Sequence, residues 1–224
     1  MKNPIRRAVA VLLVLLFFTA GSSVNAQDRE FDQRRNQLIG YMLDQELPAI
    51  HFSHKKMDES LSMAVFDLYL KQLDYQKRFL LSRDVTALRA LAPHIADNLE
   101  HGATVLPATG YDIMQERIGQ VEKMVDRIMA AGLDVQRSEV YETDPEKMAY
   151  ADDLKGLEER WRTIMKAQVI YRYLELTEDR KKAKEKLPDE GLWKQAREKE
   201  SKVNKDFFLR LHQETLQDQY DRFF

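Results

Sequence analysis

Two histidines three residues apart, His51 and His54, form the pattern in this sequence that comes nearest to a reactive site. On a helix, this spacing turns both imidazoles to one side, where they would hold one metal ion. No motif supplies a third ligand, and Pro48 lies just before the pair. The pattern therefore favours ordinary loop or capping histidines over a metal site, and we expect no cofactor.

The adjacent residues Ser201 and Lys202 are the nearest approach to a serine nucleophile with a lysine base. A lysine serves as a base only where desolvation removes its proton, whereas these residues lie in a highly charged stretch. Adjacent positions on a helix also do not face each other. The sequence contains no zinc-protease, phosphate-loop or nucleophile-elbow motif. We therefore expect no catalytic residue in this chain.

The composition excludes several further classes of protein. The chain has 224 residues, 44% of them apolar, with 35 Lys and Arg against 37 Asp and Glu. It has no cysteine, which excludes a disulfide scaffold, a thiolate metal site and thiol catalysis. Because the charges nearly balance, we expect no binding to nucleic acid.

The first 26 residues have the pattern of a secretory signal peptide. A basic start precedes eleven apolar residues, Ala8–Phe18, and small side chains lead up to Ala26. The apolar run is shorter than the roughly 20 residues that a spanning helix needs, although an uncleaved anchor is the alternative. We predict cleavage between Ala26 and Gln27, and export of residues 27–224 to a Gram-negative periplasm without stable membrane insertion.

Apolar residues repeat at helical spacing through most of residues 27–224. The pattern predicts helices over 28–47, from Asp58 to Leu73, from Ser82 or Asp84 to Leu99, over 111–129, over 154–174 and from Pro188 to Tyr220. Breaks or ends are expected at Pro48, Pro93, Gly102 and Gly132. Residues 133–153 read as a connection with at most one helical turn, and 177–187 as a solvated helix or linker. We predict an all-α bundle or array of about six helices.

Four aromatic residues lie close together in the sequence. They are Phe66, Tyr69, Tyr75 and Phe79. Such a cluster would line a groove for an apolar peptide, but the helical spacing favours packing in the core.

Residues 51–85 carry a resemblance to a known family. Its positions are His51-Phe52-Ser53, Asp58, Leu61-Ser62, Phe66-Asp67-Leu68-Tyr69-Leu70, Leu73-Asp74-Tyr75, Leu80 and Asp84. Their order and gaps resemble the N-terminal helical domain of tail-specific proteases, the carboxy-terminal processing peptidases of the S41 class. A weaker similarity covers most of residues 36–224, including the helix with Leu154, Leu157 and Trp161.

The resemblance implies a role without catalysis. In the family, this helical domain precedes a protease domain with an inserted PDZ module, and a Ser–Lys dyad cleaves proteins near the C-terminus. No residue here corresponds to that dyad. The implied partners are therefore the protease and PDZ domains, with protein substrates or adaptor proteins, and the motif residues are expected to be structural.

The last stretch, LQDQYDRFF, has a helical pattern without a capping signal. We expect it to be part of a longer chain, although two phenylalanines that dock in the core would explain it as well. Two other hypotheses remain open: a self-standing periplasmic adaptor or chaperone-like binding protein, and a helical bundle that binds a metal through His51 and His54.

Overall fold

The computed structural model describes residues 32–46, 49, 58–183 and 189–224. Residues 32–46 are helical, and seven further helices follow. These are α1 (Glu59–Asp74), α2 (Ser82–Arg89), α3 (Ile95–Glu100), α4 (Val105–Ala131), α5 (Leu154–Ala183), α6 (Asp189–Gln213) and α7 (Leu216–Phe223). The described residues contain no strand, only an isolated parallel bridge between Leu81 and Ala151. The all-α prediction is therefore confirmed.

The predicted breaks or ends at Pro93, Gly102 and Gly132 are confirmed, whereas Pro48 lies outside the described residues. A 3₁₀ turn, Ala92–His94, separates α2 from α3 at Pro93, and Gly102 and Gly132 have φ values of 66° and 90°. Only glycine adopts that left-handed conformation without strain. The connection 133–153 contains one 3₁₀ turn, Pro145–Lys147. No helix in the described ranges combines the length and apolar character needed to cross a membrane.

One prediction about the last helix is wrong. The apolar period from Pro188 to Tyr220 suggested a single helix, but the chain leaves the helical conformation between α6 and α7. Thr215 and Asp218 explain the restart, because the Asp218 carboxylate accepts from the Thr215 amide at 2.7 Å. The Thr215 hydroxyl in turn accepts from the Asp218 amide at 3.2 Å. This reciprocal pair is a capping box, which begins a new helix.

The chain divides into two compact units, and the smaller one includes residues 32–46 and 96–104. Within it, the helix 32–46 places Gly40 against Leu99. Its apolar residues Leu38, Tyr41 and Met42 are instead about half exposed, at 58%, 49% and 52%. The predicted helix is confirmed here, but this apolar stripe is not buried.

The larger unit comprises 58–95 and 105–223, and its core lies among α4, α5 and α6. The helices α5 and α6 are antiparallel neighbours, because Gln168 contacts Asn204 while Arg172, further along α5, contacts the earlier residue Glu200 of α6. The largest fully buried side chains are Trp161, Phe66, Phe208, Leu80, Leu81, Leu88, Ile95, Leu106, Ile118, Leu157, Ile164 and Met165. Residues from both sides of the connection 133–153 therefore share one core.

The aromatic cluster near residue 70 belongs mostly to that core. Phe66, Tyr69 and Phe79 are 0%, 2% and 8% exposed, whereas Tyr75 is 52% exposed. The Phe79 ring packs edge-on against Trp161 with centroids 5.7 Å apart. These residues therefore do not line a peptide groove.

The contact of Tyr69 with Gly110 generates a stability prediction. A Cβ at Gly110 would overlap the Tyr69 hydroxyl and lie 3.1 Å from its Cζ. We expect Gly110→Ala to lower the free energy of unfolding by about 1–3 kcal/mol, although alanine is the better helix former. Urea denaturation followed by circular dichroism measures the change.

The same helix supplies a matched control, because a Cβ at Gly119 meets no atom within 4 Å. Gly119→Ala is expected to stabilise the protein by up to about 1 kcal/mol. Tyr69→Phe removes the overlapping oxygen and should reduce the penalty at Gly110. A Gly110→Ala variant as stable as Gly119→Ala would contradict the close contact.

Candidate functional site

The acidic residues of the 51–85 motif meet at the junction between α1 and α2. Asp74, the last residue of α1, is 5% exposed. Its Oδ1 accepts from the Arg78 amide at 2.8 Å, and its Oδ2 accepts from the Phe79 and Leu80 amides at 3.0 and 2.8 Å. One carboxylate therefore binds three consecutive amides and sets the path of the loop.

The carbonyls of the same loop are bound by α5. The Trp161 indole donates to the Arg78 carbonyl at 2.6 Å, and the Arg160 guanidinium donates to the Lys77 carbonyl. Lys77 has a φ of 51°, a left-handed conformation that costs free energy in a residue with a Cβ. These bonds stabilise the loop in this unusual conformation.

The connection before α5 is bound by backbone contacts as well. Lys77 Nζ donates to the Met148 carbonyl, and Arg160 Nη2 donates to the Ala149 carbonyl at 2.7 Å. The Ser82 amide and hydroxyl donate to the carbonyls of Ala151 and Tyr150 at 2.8 and 3.1 Å. The segment 148–151 is therefore attached to the loop through its main chain.

Asp84 joins α2 to α4 through a buried ion pair. Its carboxylate accepts from Arg117 Nε at 2.7 Å and from Arg117 Nη2 at 2.8 Å, and the two side chains are 7% and 4% exposed. The same carboxylate accepts from the Leu81 amide at 2.9 Å, which caps the start of α2. Gln120 accepts a further Arg117 N–H at 2.8 Å. The same Arg117 nitrogen also donates to the exposed Glu116 at 2.9 Å, so the buried pair is hydrogen-bonded both within the core and at the surface.

The electrostatic surroundings of the two carboxyl groups differ. Burial raises the pKa of Asp74, with the three amides and Arg160 acting in the opposite direction. Burial also acts to raise the pKa of Asp84, but the Arg117 guanidinium and the Leu81 amide outweigh it and lower that pKa. Both groups are enclosed by protein donors, so neither can exchange a proton with a bound substrate.

The other motif residues also have structural roles. Asp58 is the N-cap of α1, and its Oδ1 accepts from the Leu61 amide at 2.8 Å. Asp67 is exposed and pairs with Arg89 at 3.2 Å. Four apolar motif residues are in the core at 0–7% exposure, namely Phe66, Leu70, Leu73 and Leu80, whereas Leu68 is 59% exposed. His51 and His54, like the predicted cleavage residues Ala26 and Gln27, lie outside the described residues.

Tyr69 is buried in an unusual way. Its ring packs edge-on against Phe223 with centroids 5.7 Å apart, and its hydroxyl has no hydrogen-bond partner among the described residues. Burial raises the pKa of this phenol far above its usual value, although the charge of Arg222 opposes the shift. The phenol is therefore neutral at physiological pH.

A second cluster of charges holds the start of the connection on α5. Glu139 accepts from Arg162 Nη1 at 3.0 Å and from Lys166 Nζ at 2.9 Å, and it pairs with Arg137 at 3.0 Å. Hydrogen bonds from Arg162 and Lys166 lower the pKa of Glu139 to about 2. The Glu139 carboxylate is therefore the anion on which three cations converge.

One group of potential metal ligands occurs among the described residues, namely Asp97, Glu100 and His101. All three side chains are exposed, and His101 already pairs with Asp97 at 3.4 Å. Exposed acidic groups of this kind are common without an ion, so we assign no metal site to them.

Sequence reasoning missed the long-range basic partners, which are Arg117, Arg160, Arg162 and Lys166. A signal was present for Arg117, because it lies on the apolar stripe of α4 between Met114 and Ile118. A charged residue at such a position must find a buried partner. The identity of that partner, Asp84, follows only from the tertiary fold.

The Asp74 geometry predicts an unequal effect of two motif substitutions. Asp74→Ala leaves three amides without an acceptor and should lower the free energy of unfolding by roughly 3 kcal/mol or more. Asp67→Ala removes only an exposed ion pair on the same helix and should cost less than about 1 kcal/mol. Urea denaturation of both variants measures the difference, and equal losses would contradict the assigned role of Asp74.

The Glu139 cluster predicts a dependence of stability on pH. Because its pKa falls from the usual 4.5 to about 2 in the folded protein, the ionised form is stabilised on folding. Its stabilising contribution is complete above about pH 4.5 and is lost as the pH falls towards 2. The difference in unfolding free energy between the unmodified protein and Glu139→Gln should therefore shrink below pH 4.5.

Glu146→Gln is the control for this series, since Glu146 is exposed in the same connection. Its unfolding free energy should follow that of the unmodified protein at every pH. A Glu139→Gln difference that stays constant from pH 7 to pH 3 would show that the cluster is not anchored by the Glu139 charge.

Comparison with known proteins identifies the family of the chain. No curated protein matches the chain. The family model of the tail specific protease N-terminal domain matches residues 43–224, which is most of the chain and includes Asp58, Asp74 and Asp84. The chain therefore belongs to the family of tail-specific protease N-terminal domains.

Proposed function

We propose that the chain is the non-catalytic N-terminal domain of an exported C-terminal-processing serine protease. In this role it packs on the protease portion of a longer periplasmic protein and helps to position protein substrates. The main support is that the motif acids are committed to structure: Asp74 binds loop amides and Asp84 binds Arg117.

The serine and lysine residues support the same conclusion. In the described ranges, no serine hydroxyl is hydrogen-bonded to a lysine or histidine side chain. Lys202 is exposed and directly follows Ser201, and adjacent side chains on a helix do not face each other, so these two residues do not form a dyad. Peptide cleavage must then depend on residues outside this domain.

The helix 32–46 supports packing against another protein surface. Leu38, Tyr41 and Met42 are three and four residues apart and therefore share one helical face, which is about half exposed. An exposed apolar patch of this kind is typical of an interaction site. We assign this face to the contact with the protease portion.

An antibody raised against residues 58–85 tests the proposed function in cells that carry the gene. We expect it to detect a protein several times larger than the 26.3 kDa chain, released with the periplasmic fraction by osmotic shock. A band at or below 26.3 kDa would contradict the proposal and favour a self-standing adaptor.

Two activity measurements complete this test. The purified chain should leave a reporter protein with an apolar C-terminus uncut. Deletion of residues 27–224 from the longer protein should reduce kcat/KM for that reporter protein more than for a short chromogenic peptide, because the peptide needs less positioning. Equal reductions would argue against a positioning role.

A further inference from the structure

A groove of about 1120 Å³ lies between α5 and α6 in the larger unit. We call it the α5–α6 groove. Its apolar lining consists of Met129, Val135, Ile170, Tyr173, Leu174 and Trp193. The function proposed above does not use these residues, and none belongs to the 51–85 motif.

The lining of this groove exposes apolar surface to solvent. Leu174 and Val135 are 54% and 42% exposed, and the rings of Tyr173 and Trp193 meet edge-on at 5.7 Å. Concave surfaces lined by aromatic and aliphatic side chains are the usual form of a ligand site. A ligand with apolar side chains would remove this surface from water.

Arg197 gives the groove a positive charge that the protein does not neutralise. Its Nη2 donates to the Met129 carbonyl at 2.6 Å, which fixes the guanidinium at the end of α4. No carboxylate among the described residues pairs with it, whereas the neighbouring Lys194 lies 4.0 Å from Glu198. A half-buried guanidinium with free N–H groups binds a carboxylate strongly.

Three polar groups in the lining distinguish between classes of ligand. The Trp193 indole N–H, the Gln136 side-chain carboxamide and the Ser201 hydroxyl have no hydrogen-bond partner in the part of the chain that the structure describes. The amide groups of a peptide would pair with them, whereas an alkyl chain would leave them unpaired. The lining therefore favours a polypeptide over a fatty acid.

We propose that the α5–α6 groove binds an extended polypeptide segment in which apolar side chains are followed by an aspartate or glutamate. The apolar side chains lie on Ile170, Leu174 and Trp193, and the acidic side chain binds Arg197. The groove is open to solvent, so a chain crosses it without having to end in it. This site rests on the proposed function, because it provides the place where a protein substrate is held.

Three labelled peptides test the proposal by fluorescence anisotropy with the purified chain. The first is acetyl-Ser-Leu-Leu-Ile-Glu-Ser-amide, the second has Gln in place of Glu, and the third is the Gln peptide with a free terminal carboxylate. We expect the Glu peptide to bind about tenfold more tightly than the amidated Gln peptide. Equal affinities, or no saturation up to about 1 mM protein, would overturn the proposal.

Three variants assign the affinity to the groove. Arg197→Gln should remove the preference for the Glu peptide and leave binding of the Gln peptide unchanged. Leu174→Gln should weaken the binding of both peptides. Because Leu174 is 54% exposed, its substitution should not unfold the protein, so weaker binding would report on the groove itself. Lys199→Gln, an exposed cation of α6 outside the groove, is the matched control and should change neither. Thermal melts establish that each variant is folded.

The remaining outcomes also decide between ligands. If the third peptide bound more tightly than the first, the groove would recognise the C-terminal carboxylate of a chain and not an internal acidic residue. Displacement of the Glu peptide by lower concentrations of dodecanoate than of unlabelled peptide would indicate a fatty-acid site. Both results would overturn the proposal about the groove. Neither would affect the size of the protein that the antibody detects, so the proposal about the groove and the proposed function can fail independently.

Discussion

The larger unit depends on the buried carboxylate of Asp74. The three amides that it binds would otherwise face the core without an acceptor, at a cost that few other contacts of the loop would offset. With the amides bound, the loop carbonyls turn towards Arg160 and Trp161, and α5 is attached to α1. The order of contacts therefore runs from one acid, through a short loop, to a long helix far along the chain.

The Asp84–Arg117 pair has a different physical role. Burying two opposite charges costs desolvation free energy that their attraction repays only when the geometry is good. Here the Arg117 guanidinium donates two hydrogen bonds, at 2.7 and 2.8 Å, to the Asp84 carboxylate, which meets that condition. The Leu81 amide donates a third hydrogen bond to the same carboxylate. If α2 and α4 packed in any other register, Asp84 and Arg117 would each be buried without an opposite charge. The pair therefore specifies one register between the two helices, whatever its net contribution to the free energy of unfolding.

Local features of the fold were predictable from the sequence, and long-range ones were not. The helices, the break at Pro93 and the glycine ends at 102 and 132 follow from spacing and backbone chemistry within a few residues. The restart at Thr215 was also local, but the continuous apolar period concealed its capping box. Asp84 and Glu139 find their basic partners on other helices, and the loop that Asp74 binds is held by Arg160 and Trp161 from α5. The α5–α6 groove exists only once α5 and α6 lie side by side. None of these follows from periodicity alone.

The attachment of the connection near residue 150 has a consequence for sequence change. Lys77, Arg160 and Ser82 bind the carbonyls of residues 148–151, which every amino acid possesses. Substitutions in this segment therefore need not disturb its route, provided that the three donors are retained. We therefore expect related chains to differ in side chain at exposed positions of this segment, such as Ala149, while its backbone keeps the same route.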